Sequence, residues 1–172
     1  NRQTSTMLTM LGATPVGMPL PGIPEGLSKG VIDGAVVPYE IAPSIKLDEL
    51  TKFVAETDRS QPAMCATIFA TAMNLAKYQS MPADLRAVID RNSGLETSAM
   101  FGRTQGDADV PARKKIAEAG VKINVIPADE LNRWRKATDA LDDQWAAAIT
   151  AKGKDGKALL QAARDLVKKH TK

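Results

Sequence analysis

Residues 10–34, MLGATPVGMPLPGIPEGLSKGVIDG, constrain this chain more than any other stretch. Gly12 closes a helical run that starts near Thr4 and keeps Met7, Leu8 and Leu11 on one side. Residues 13–18 are apolar and bounded by Gly and Pro, which predicts a strand. A turn cluster at 19–24 leads into a short helix over 24–30, with Gly30 as its stop. A second strand is expected over 31–37. Strand, short helix, strand is the unit of an open α/β sheet, where ligands bind beyond the carboxyl ends of strands. Those ends are residues 19–21 and 38–41.

The rest of the chain continues the alternation. Residues 44–50 suggest one helical turn, and 52–56 alternate as a strand. The run AMCATIFATAM at 63–73 has turn signals on both sides and predicts a buried strand, with Cys65 as a small buried apolar side chain. A short helix follows at 74–79. Pro82 then opens a long one, most readily interrupted at Gly94 and weakened by Gly102, Gly106 and Pro111. Gly120 ends that helical region, and residues 121–126 alternate as a strand. Leu131, Trp134, Ala137, Leu141 and Trp145 step by three or four along one amphipathic helix over 128–148. A terminal helix over 157–169 follows a Gly153–Gly156 linker.

At 172 residues the chain can bury roughly 70% of its unfolded surface. Only 4% of its residues are aromatic, so the core must be built from aliphatic side chains and methionine. The single cysteine excludes an internal disulfide framework, and the single histidine lies in the tail, which leaves no Cys–His pair. Zinc motifs, a nucleophile elbow and phosphate-binding glycine loops are all missing from the sequence, so no metal or cofactor is expected. Asp107 with Asp109, and Asp142 with Asp143, read as solvated surface charges. Arg133-Trp134-Arg135 reads as a core tryptophan between surface arginines rather than a nucleic-acid platform. The basic tail 168–172 fits either an anionic partner or cations at the negative end of a helix dipole. No apolar run is long enough to span a membrane and no signal peptide is visible. Nothing here points to an enzyme.

The segments LGATPVGMP and LSKGVIDG, then PSIKLDELTKF, MNLAKYQSMPADLRAVID and AGVKINVIPADELNRWRKA, resemble in order the second lobe of TRAP-transporter solute-binding proteins of the DctP type. Each piece is common alone; several in register are a specific signal. The resemblance implies an α/β fold: the second lobe of a two-lobed periplasmic-binding-protein-like architecture, an open sheet flanked by helices, plus one long lobe-bridging helix. Residues 1–62 and 103–172 would form the ligand-binding lobe, and 63–102 would cross toward an N-terminal lobe absent from this chain.

In function the resemblance implies capture of a small organic acid in the periplasm and its delivery to the membrane subunits of a TRAP transporter, without chemistry or cofactor. The family's ligand-holding arginine would lie two or three residues before Asn1. Arg2 then either stands beside the anion site or caps the helix that follows. Leu20, Val37, Tyr39 and Glu40 fall on ligand-contact positions of the family, and Ile68 and Phe69 approximate a further contact strand. Glu40 would repel a carboxylate, so it pairs with a ligand hydroxyl or ammonium, or faces away. An apolar surround of Leu20, Tyr39 and Phe69 favours a medium-sized carboxylate with an apolar body. Two other readings compete: a self-standing α/β interaction domain, and an α/β enzyme using Asp and Glu. A half-fold would expose its cleft and bridging faces, so dimerisation through them is an expected cost.

Overall fold

The computed structural model describes residues 1–58, 60, 61, 63–65 and 67–170. Helix α1 (Arg2–Met10) comes first, followed by a short 3-10 helix, η1 (Leu20–Gly22), and α2 (Ile23–Ser28). A second 3-10 helix, η2 (Tyr39–Ile45), then α3 (Leu47–Leu50), lead to strand β1 (Phe53–Thr57). Helices α4 (Leu75–Gln79), α5 (Ala83–Arg91) and α6 (Leu95–Glu118) precede β2 (Lys122–Ile126). The chain closes with α7 (Ala128–Ala137), α8 (Ala140–Thr150) and α9 (Gly156–His170).

The sheet pairs β1 with β2. They run parallel, because the Lys122 N–H at the start of β2 bonds the carbonyl of Lys52, the residue just before β1. Parallel pairing requires a long helical crossover, and α4, α5 and α6 provide it. This bears out the α/β expectation and the strands foreseen at 52–56 and 121–126.

By its packing the chain divides into two compact units, one of Asn1–Gly17, Glu56–Cys65 and Val125–Lys172, the other of Met18–Ala55 and Ala66–Asn124. In the second unit Ile23, Ala42, Leu47, Ile116 and Val121 form a buried cluster, flanked by Met18, Leu27, Ile32, Val37, Tyr39, Ile45 and Val54. Helix α6 packs along η2 and α3, and Lys115 reaches Asp48 at 3.4 Å. In the first unit α9 packs on α8, and α1 on α8 as well. There Met7, Leu131 and Ala146 are buried, and Arg164 pairs with Asp142 at 2.6 Å.

Several expectations from the sequence fail locally. Residues 13–18 and 31–37 are not strands: a strand needs a neighbour to complete its ladder, and no ladder partner meets them among the described residues. Met18, Ile32 and Val37 pack instead against the cluster as irregular chain. The stretch 63–73, Pro62 and Ala66 lying outside the described residues, is neither strand nor buried, and Cys65 is exposed. The single helix expected over 128–148 is two, parted at Thr138–Asp139, where the Thr138 hydroxyl bonds the carbonyls of Trp134 and Arg135. Conversely, α6 runs unbroken through Gly102, Gly106 and Pro111. Its buried Ala112 and Ile116 show packing overriding weak propensity. The break comes at Gly94, whose φ of 106° and ψ of −160° suit glycine alone.

Candidate functional site

Four expected ligand-contact residues belong to the second unit, and two of them, Val37 and Tyr39, pack on its core. Leu20 opens η1 and is partly exposed; η1 leads directly into α2, whose Ile23 is in the core. Val37 and Tyr39 are half-buried against the same cluster. The proline before Tyr39, Pro38, holds extended backbone at φ −65° and ψ 156° and turns the chain into η2.

Glu40 has the most defined surroundings. Its N–H donates to Asp109 Oδ1 at 3.1 Å, a bond between η2 and α6. Its carboxyl lies against Asp109 as well, and Oε1 is enclosed without a hydrogen-bond partner. Burial is the main force raising the Glu40 carboxyl above its ordinary range. The charge of Asp109 and a hydrogen bond to it push the same way, while the amides of Glu40 and Ile41 oppose them. Glu40 is therefore engaged by its own chain through Asp109.

The other three residues are placed differently. Ile68 and Phe69 are 91% and 62% exposed on an irregular stretch of the second unit. Arg2 belongs to the first unit and is exposed. It does not cap α1: Asn1 does, accepting the Thr4 N–H at 2.9 Å.

Two open cavities lie in the first unit. One, about 220 Å³, is lined by residues including Met7, Arg135 and Asp142; the other, about 840 Å³, lies among Ala146, Thr150 and Asp155. Neither includes any of the seven expected contact residues. Among the described residues there is no cluster of acidic, histidine or cysteine side chains able to hold a metal, and no helix long and apolar enough to cross a membrane. Asp109 is the participant that the sequence reading missed. Its acidic neighbour Asp107 made it look like a solvated charge, and nothing local reveals a partner 69 residues away.

Residues 1–148 match the family model described as DctP, bacterial extracellular solute-binding protein, family 7. Among solved structures, the chain is similar to a TRAP solute-binding protein from Rhodoferax ferrireducens in complex with copurified benzoate, at 45% identity and a TM-score of 0.92. That match covers 99% of this chain and 53% of the other. A marine-metagenome TRAP solute-binding protein specific for aromatic acid ligands, co-crystallised with 3-hydroxybenzoate, is 40% identical with a TM-score of 0.87. It is covered over 53% of its length by the whole of this chain. A Bordetella bronchiseptica TRAP periplasmic protein with bound (R)- and (S)-mandelate shares the fold at a TM-score of 0.82 and 24% identity, over 96% of this chain and 52% of that one. The chain thus spans about half the length of the solved structures it matches.

Proposed function

The chain belongs to the DctP family of bacterial extracellular solute-binding proteins, a family of binding proteins rather than enzymes, and from that premise we propose that it supplies one ligand-binding half of a periplasmic receptor for an aromatic monocarboxylate, which it hands to the membrane subunits of a TRAP transporter. The observation that carries this reading is the 45% identity, over nearly the whole chain, to a receptor holding benzoate. The chemistry of the chain agrees. Leu20, Val37 and Tyr39 offer apolar surface and a ring face to an aromatic body. Ile68 and Phe69 add apolar side chains open to be covered.

The test is calorimetric titration of the complete receptor containing this chain with benzoate, 3-hydroxybenzoate and the neutral isostere benzamide. A charged hydrogen-bond partner contributes about 1.5–3 kcal/mol. The acids should therefore bind at least about tenfold more tightly than the amide. Equal binding of benzamide, or no heat with either acid, would defeat the reading. Tyr39→Ala should weaken benzoate binding by about tenfold, through loss of an aromatic contact of roughly 1 kcal/mol and its buried area.

A further inference from the structure

The 3-10 helix η2 begins without a cap of its own. Pro38 stands at its N-cap and makes no side-chain hydrogen bond. A capping side chain normally takes the N–H of the second or third helical residue, and without one that donor is left orphaned. The missing acceptor comes from 69 residues further on, where Asp109 Oδ1 takes the N–H of Glu40, the second residue of η2, at 3.1 Å. Asp109 is half-buried on α6, the helix along which η2 packs. The residue before the captured N–H is Tyr39.

We propose that Asp109 is a positioning residue of the ligand site, capping η2 from α6 and so fixing the backbone that presents Tyr39 to the bound acid. This rests on the preceding reading of Tyr39 as a ligand contact. Glu40 completes the arrangement. With its proton it is a neutral neighbour that can donate to Asp109; without it, two carboxylates would face each other across a partly buried gap.

The charged side chains on the neighbouring turns of α6 are Asp107, Arg113, Lys114 and Lys115, and α3 carries Asp48 and Glu49. Lys115 pairs with Asp48 at 3.4 Å, Lys114 with Glu118 at 3.6 Å, and Glu49 with Lys46 at 3.9 Å. Asp109 is the one whose charge acts on the Glu40 carboxyl. The folded chain therefore holds the Glu40 proton to a higher pH than the unfolded chain, whose carboxyl titrates near 4.5. Where the folded state binds more protons, stability falls as pH rises. The cap is firmest on the acid side of that window and loosens as pH climbs through the raised value.

The test uses the complete receptor and two readouts: hydrogen-exchange protection of the amides at 40–42, corrected for intrinsic exchange rates, and benzoate affinity by calorimetry. Asp109→Ala should lose protection at these amides and bind benzoate about tenfold more weakly, the usual scale of a lost cap. Asp109→Asn keeps the acceptor oxygen and should restore both. Glu40→Gln should keep protection and flatten its dependence on pH above the ordinary carboxylate range. Unchanged protection in Asp109→Ala, no rescue by Asp109→Asn, or lost protection with unchanged benzoate affinity would each overturn the proposal. If the unaltered receptor ignores benzoate, the aromatic-acid reading fails by itself, and amide protection still decides whether Asp109 is the cap.

Discussion

Replacing Gly156 with alanine separates two effects that predict opposite signs. By helix propensity alone, Gly→Ala in a helix gains up to about 1 kcal/mol. Gly156 starts α9 and is buried against α8. A Cβ there would come within 2.7 Å of the Ala146 carbonyl carbon and 2.9 Å of its Cα, and would collide with the carbonyl oxygen. Those are backbone atoms in a helix and cannot swing aside, so α9 must shift off α8. The shift also strains the bond from the Gly156 N–H to Thr150 Oγ1, 3.3 Å long, and the Arg164–Asp142 pair. Overpacking of this kind costs about 1–3 kcal/mol, and an obstacle made of backbone favours the upper end. Set against the propensity gain, the net is a destabilisation of about 2 kcal/mol. For a chain of this length that lowers Tm by roughly 4–8 °C. Thermal unfolding followed by circular dichroism measures it, with hydrogen exchange showing whether the loss centres on α9. A Tm equal to or above that of the parent would refute the steric argument. Gly26→Ala is the internal contrast, since its Cβ would meet Ile32 Cγ1 at 3.2 Å, Ile32 Cδ1 at 3.3 Å and Met18 Cε at 3.5 Å. Side-chain ends can yield, so its change should stay within about 1 kcal/mol.

Ile116→Ala should cost about 2–5 kcal/mol in chemical denaturation, because Ile116 is 1% exposed at the centre of the second unit's cluster and its loss leaves a cavity. Lys115→Met should destabilise by about 1–3 kcal/mol in the same assay, since it strips the partner from Asp48, whose side chain is 7% exposed with Oδ1 already unpartnered. The Tyr78 hydroxyl donates to Asp90 at 2.7 Å, and that hydrogen bond is the main reason its phenol titrates above the ordinary tyrosine range. Asp90→Ala, which removes the acceptor, should move the Tyr78 titration back toward that range in an ultraviolet absorbance titration, and an unmoved curve would refute the pairing.

The sequence by itself determined the family, the α/β class and most helices. The family rests on the resemblance of several segments in order, the rest on local rules: glycine stops at Gly12 and Gly120, prolines at helix starts, and apolar residues stepping by three or four. The strands at 52–56 and 121–126 were legible from alternation, but not their buried face: Val54 packs on the core while Phe53 is 64% exposed. Tertiary structure alone decided where alternation fails to become a strand, because a ladder needs a second chain segment that no local pattern can promise. It also decided that α6 continues through Pro111, since packing of Ala112 and Ile116 outweighs propensity. The positions Leu20, Val37, Tyr39 and Glu40 could be named from family motifs. That Glu40 meets Asp109, and that Gly156 must stay small against Ala146, could not. Both depend on which surfaces meet once distant segments pack, and a hydrogen bond or a collision between them leaves no mark in the spacing of neighbouring residues.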